Sequence, residues 1–182
     1  LPGACVIPEN LKLLPLSKEA VRAAVELGQG LATMPPRQAV YLAGVIYTTA
    51  LPAAYRAAHG IFYTPPMLVD RLLGMAEEAS VDWSTARVLD PACGGGAFLI
   101  PIALRMANEL KAADPAFVLH QIANRLRGYE LDAFGAWLAQ AGLELTLQDV
   151  IRASCRPAPK MVHLRDSLDI DPTDCGVFDL VI

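Results

Sequence analysis

The segment Asp90-Pro91-Ala92-Cys93-Gly94-Gly95-Gly96 is the part of this chain best equipped for chemistry. It follows a short apolar run, Arg87-Val88-Leu89-Asp90, and precedes a long apolar stretch over 97–113. Glycines between a strand and a helix let backbone approach a ligand closely. In an open α/β sheet, ligands bind at the carboxyl ends of the strands. The spacing argues against two common ligands. A dinucleotide fingerprint wants Gly or Ala three residues after its second glycine, and here that position is Leu99. No Lys-Ser/Thr pair follows, so the turn is not a phosphate-binding loop. What remains is an acid at the end of the strand. Asp90 suits a cationic group, and S-adenosylmethionine, with an ammonium and a sulfonium, meets that demand. The alternative is a structural turn with a capping Asp.

Glu130 is the second candidate. It ends a run Gly128-Tyr129-Glu130-Leu131, which reads as the next strand. A carboxylate there can accept two hydrogen bonds from a ribose diol; alone it could equally be a solvated strand-end charge. Metal chemistry has no support. His59, His120 and His163 are scattered, and Cys5, Cys93, Cys155 and Cys175 show no CxxC spacing. Neither zinc nor a disulfide framework is expected, and a reducing cytoplasm is the expected location.

These residues need elements to hold them. An extended arm is expected over 1–16. Ser17 is expected to cap a helix to about Leu27, stopped by Gly28 and Gly30, with Val21, Ala24 and Val25 on one face. Pro35-Pro36 opens a second helix over 37–50, and Pro52 a third to about Ala58. Thr64 is a natural N-cap, with Pro65 at the first position of a helix running to about Ala79. Beyond that the chain alternates: strand 87–90, helix 97–113, helix 115–126, strand 128–131, helix from 133, strands 161–165 and 178–182. Alternation of this kind predicts an α/β fold, an open parallel sheet with helices on both faces. The division is a helical segment over 1–59 and a sheet-bearing part over 60–182.

Composition narrows the class. The chain has 182 residues, 54% of them hydrophobic and 19% charged, so a sizeable core is available and wholesale disorder is not expected. Fifteen Lys and Arg against 19 Asp and Glu leave a net charge of −4, a poor basis for stand-alone phosphate-backbone binding. The longest uncharged run, 38–55, is interrupted by Gln38, Thr48, Thr49 and Pro52. It reads as a buried helical pair, not a membrane span. No basic and apolar leader opens the chain.

The string Val88-Leu89-Asp90-Pro91-Ala92-Cys93-Gly94-Gly95-Gly96-Ala97-Phe98-Leu99 resembles the S-adenosylmethionine motif of N6-adenine DNA methyltransferases. Gly60-Ile61-Phe62-Tyr63-Thr64-Pro65-Pro66 resembles the motif that precedes it in the subgroup with this order, which includes type I modification subunits. Gly128–Asp132, Arg165-Asp166-Ser167-Leu168 and Phe178-Asp179-Leu180-Val181-Ile182 resemble the later motifs of the same family. The resemblance covers roughly 60–182. It implies a Rossmann-like methyltransferase sheet that binds S-adenosylmethionine and transfers a methyl group to adenine N6 in double-stranded DNA, in a restriction-modification or phage-defence setting.

The resemblance also implies roles. Tyr63, Thr64 and Pro65 would close over the cofactor, Thr64 near the methionine carboxylate. Asp90, Pro91, Ala92, Cys93, Gly94 and Gly96 would hold the methionine amino group and approach it through backbone. Glu130 would take the ribose hydroxyls, with Leu131 against the adenine face. Asp166 would accept from the adenine amino group. Ser167 departs from the pattern, since an aromatic residue often follows that acid. The chain starts at Leu1 and stops inside an apolar run, and so reads as a fragment. The catalytic Asn/Asp-Pro-Pro-Tyr/Phe motif is expected just after Ile182, and no catalytic residue within the chain. DNA would be read by a target-recognition domain beyond it, with specificity or restriction subunits as further partners and no membrane. Two alternatives share the fold: a methyltransferase acting on RNA, protein or a small molecule, and a non-catalytic module.

Overall fold

Val88, Leu89 and Asp90 form the strand around which the fold is arranged. The computed structural model of the protein describes residues 17–170 and 176–182. The arm expected over 1–16 lies outside them, as do Cys5 and Cys175. Cys93 and Cys155 are free thiols.

Four strands make one parallel sheet in the order β3-β2-β1-β4. They are β1 (Val88–Asp90), β2 (Leu126–Glu130), β3 (Val162–Leu164) and β4 (Leu180–Val181). Val88 pairs with Leu126 on one side and Leu180 on the other, and Gly128 pairs with Val162. The helices are α1 (Lys18–Ala32), α2 (Pro36–Ala50), α3 (Ala53–His59), α4 (Pro66–Glu78), α5 (Leu99–Glu109), α6 (Pro115–Arg125), α7 (Ala133–Thr146) and α8 (Gln148–Ser154). The fold is therefore α/β and Rossmann-like.

The core among the described residues joins Val88, Leu126 and Val162 to Val69 and Leu73 of α4, Leu99, Ile102 and Met106 of α5, Ile122 of α6 and Leu143 of α7. These strand residues share one face, because side chains alternate along a strand. Leu89, Arg127, Tyr129, His163 and Val181 alternate to the other face and stand outside that core. The expectation of helices on both faces is thus corrected: the described helices that enter the core lie on one. The cause is topological. The steps β1 to β2 to β3 run in one direction along the sheet, and right-handed crossovers in one direction stay on one face.

Several boundaries move for local reasons. The helix α1 passes through Gly28 and Gly30 to Ala32. Each glycine costs about 1 kcal/mol relative to Ala, and the helix continues until the approach of Pro35. Ser17 does cap it, accepting from Ala20 N at 3.1 Å, yet Val21 and Val25 are exposed. Thr64 is not the cap of α4. Pro65 takes that place and Pro66 the first turn, because a residue before proline is driven to extended backbone. The long helix expected from Ala97 starts at Leu99, since Gly96 holds φ +83° and the chain turns through Phe98. It ends at Glu109, and Asp114 restarts the chain as α6 by accepting from Ala116 N and Phe117 N. The strand β2 begins two residues early, at Leu126, where pairing with Val88 holds it. The break at Leu147 that separates α8 from α7 was not expected.

Helix α2 of the helical segment packs against the sheet-bearing part. Val40 of α2 belongs to the same core. A Cβ at Gly44 of α2 would collide with the Tyr63 ring, and so would one at Gly95 of the turn. The ring is wedged between two residues without side chains. Gly95→Ala is expected to lower stability by about 1–3 kcal/mol, the usual cost of overpacking. Gly30→Ala in exposed α1, where a Cβ meets nothing within 4 Å, is expected to raise it by about 0.5–1 kcal/mol. Thermal melts of the two variants check both signs.

Candidate functional site

The carboxyl ends of β1, β2 and β3 meet the Gly-rich turn and the segment 60–65 around two adjoining clefts. One, of about 250 Å³, is lined among others by Tyr63, Pro91, Ala92, Gly94, Glu130, Leu131, Asp166 and Ser167. The other, of about 160 Å³, is lined by Thr64, Asp90, Cys93 and Ile182, and again by Tyr63, Ala92 and Gly94. Together they reach the roughly 300–1,000 Å³ of small-molecule sites. Eleven of the thirteen residues singled out in the sequence therefore share one region. Pro65 and Gly96 line neither cleft. Pro65 caps α4. Gly96 makes its close approach to α7, where a Cβ would sit 3.1 Å from Ala139 Cα.

The turn is built by hydrogen bonds to β2. Cys93 N donates to the Tyr129 carbonyl at 2.9 Å. Gly94 N donates to Glu130 Oε2 at 2.7 Å, and Asp132 N to Glu130 Oε1 at 2.8 Å. Glu130 thus clamps the turn after β1 and the corner after β2 with one carboxylate. Gly94 has φ +52°, and a Cβ there would meet nothing within 4 Å. The positive φ makes glycine the favoured residue, and its open side faces the clefts.

Asp90 is 4% exposed and accepts from Ala92 N at 3.2 Å. Burial pushes its carboxyl up to about 7, with the Glu130 charge adding, against the Ala92 bond. A buried carboxyl with one local partner is a strong acceptor for a cation. Burial, with Asp90 and Glu130 nearby, also pushes the Cys93 thiol up, so that it stays protonated and is a poor nucleophile. Asp166 caps the short 3-10 turn Ser167–Asp169, accepting from Leu168 N at 2.9 Å. Arg165 N donates to the Glu130 carbonyl at 2.9 Å, which ties this corner to β2. Phe62, Leu131 and Leu168 ring the larger cleft with exposed apolar side chains.

Comparison with known proteins adds one finding. No protein-family model matches the sequence, and no curated protein does. A chain of the cryo-electron microscopy structure of a DrdV–DNA complex is similar: TM-score 0.53 and 20% identity over 73% of this chain. The likeness shows the fold. The match spans 13% of that chain.

Two site features escaped the sequence. Gly95, in the middle of the expected turn, seats Tyr63 as well as lining the smaller cleft. Asp132, which lies in the 128–132 motif, caps α7 by accepting from Gly135 N at 2.7 Å and also accepts from Tyr47 OH at 3.0 Å. Nothing local marks Tyr47, because its partner lies 85 residues away. No group of three or more metal-binding side chains occurs among the described residues. None of their helices is long and apolar enough to cross a membrane.

Proposed function

We propose that the chain is the cofactor-binding part of an S-adenosylmethionine-dependent DNA methyltransferase acting on adenine N6. One observation carries the reading: the buried Asp90 and the clamped Glu130 face two adjoining clefts that meet at the bare backbone of Gly94. That pair of acceptors fits a ligand with a cation at one end and a diol at the other. Asp90 would bind the ammonium, Glu130 would accept from the ribose hydroxyls, and Asp166 would accept from the adenine amino group. Thr64, outside helix α4 and beside Asp90 in the smaller cleft, would donate to the carboxylate. S-adenosylmethionine supplies a methyl group on a sulfonium when bound. The chain's own contribution is to orient it and to exclude water. The likeness to a chain of a DNA complex supports DNA as the partner, and with a net charge of −4 most phosphate contacts would be made by other parts of the protein.

Titration of S-adenosylmethionine into the full-length protein, with NAD and ATP as controls, is the direct test. Selective binding is expected; equal binding of NAD overturns the cofactor assignment. Incubation with DNA lacking N6-methyladenine then tests the acceptor, read by mass spectrometry of nucleosides. Methyl transfer to RNA or protein but not DNA would replace it.

Asp90 also sets a pH dependence. Its carboxyl titrates at about 7 in the folded protein against an ordinary 3.8. A cation binds the ionised form, so below pH 7 binding must expel a proton. Affinity is expected to rise about tenfold per pH unit from 5 to 7 and then level. Asp90→Asn should flatten that slope. In the ligand-free protein the sign reverses: the folded state holds a proton that the unfolded state has lost. Stability is therefore expected to fall as pH rises from about 4 to 7, a trend the same Asn variant should lose.

A further inference from the structure

Helix α2 braces the site at two points, the Tyr63 ring that rests on the glycine turn and Asp132 at the corner after β2. Val40, Gly44 and Tyr47 recur at helical spacing and lie on one face of α2. Val40 enters the core shared with α5 and α7. Gly44 lies flat against Tyr63, whose ring rests on Gly95 on its other side. Tyr47 stacks on Phe134 of α7 at 4.2 Å between ring centroids and donates its hydroxyl to Asp132 Oδ1.

We infer that Tyr47 is a positioning residue for the diol end of the cleft, acting through Asp132 and Glu130, and that α2 braces the binding site from outside the clefts. The inference rests on the S-adenosylmethionine reading for its ligand and on the hydrogen-bond chain for its physics. That chain runs from Tyr47 OH to Asp132 Oδ1, and from Asp132 N to Glu130 Oε1. The same Glu130 carboxylate holds Gly94 N through its other oxygen. The second Asp132 oxygen caps α7. Each carboxylate therefore has both oxygens engaged by fixed donors. Removing the Tyr47 hydroxyl leaves one half-buried oxygen of Asp132 without its donor, and the corner that orients Glu130 is free to rotate. The Glu130 lone pairs that would meet the ribose hydroxyls then lose their fixed direction. Asp90, held by Ala92 on the other side of the turn, is outside this chain of bonds. The effect should be confined to the diol end.

Tyr47→Phe keeps the ring and its stacking on Phe134. Its test compares S-adenosylmethionine with the 2′,3′-dideoxy analogue, in wild type and variant, by calorimetric titration. Wild type is expected to prefer the diol, and the variant to lose about tenfold of that preference, the scale of one hydrogen bond to a charged group. A general weakening of the fold would lower both affinities alike, and an unchanged preference overturns the inference. Amide hydrogen exchange gives a readout independent of the ligand. Gly94, Asp132 and Gly135 should exchange faster in Tyr47→Phe, while Ile122 and Leu126 hold their wild-type rates. If wild-type protein binds neither ligand, the cofactor reading fails and the exchange pattern decides alone; unchanged rates at those three amides would then refute the role of Tyr47.

Discussion

Glu130→Ala is expected to weaken S-adenosylmethionine binding by about a hundredfold or more. Hydrogen bonds to a charged group are worth roughly 1.5–3 kcal/mol, and about 2.8 kcal/mol is already a factor of a hundred. Glu130 would make such bonds to the ribose, and it also holds two backbone donors of the site. Its oxygens accept from Gly94 N at 2.7 Å and Asp132 N at 2.8 Å. The Ala variant loses ligand contacts and preorganisation together. Glu130→Gln is not expected to rescue it, because an amide can accept from one of those N–H groups but presents its own N–H to the other. Titration of both variants, with circular dichroism to show that they fold, checks the prediction. Wild-type affinity in a folded Ala variant would remove Glu130 from the site.

Gly94→Val is expected to abolish binding while the protein still folds. The two consequences come from different features of one residue. Gly94 lines both clefts, and the space where a Cβ would stand is open. An isopropyl group would occupy the volume that a ligand needs. The backbone holds φ +52°, so a β-branched residue carries strain of about 1–2 kcal/mol, a loss that lowers the melting temperature without unfolding the chain. Its N–H still donates to Glu130, so the turn keeps its anchor. Gly94→Ala should fall between the two, with the same sign of strain and less bulk. A cooperative melt with no detectable S-adenosylmethionine binding is the expected pair of results for Val. Normal binding by the folded Val variant would place the ligand elsewhere. Gly96→Val would be a poor substitute for this test, since Gly96 lies against Ala139 and its replacement would disturb helix packing first.

The sequence by itself determined the parts that depend on neighbours a few residues apart. The strand at Val88–Asp90, the glycine turn after it, the next strand ending at Glu130, and the Asp114 and Asp132 caps all follow from side chains bonding nearby backbone and from what proline and glycine permit. The open parallel sheet follows too, from the alternation of strand and helix. Tertiary structure decided the rest. The start of α5 depends on the left-handed turn at Gly96, which packs closely against Ala139 of a later helix. Which sheet face the core helices cover, leaving Leu89 and Val181 on the other, depends on which way successive crossovers step. Gly95 serves Tyr63, and Tyr47 serves Asp132, across distances in the chain that no spacing rule spans. Asp90 reads as an ordinary carboxylate in sequence; its high affinity for a proton arises only when packing removes it from water. Local hydrogen bonds and sterics are written in adjacent residues, whereas burial and long-range pairing exist only once the helices have packed on the sheet.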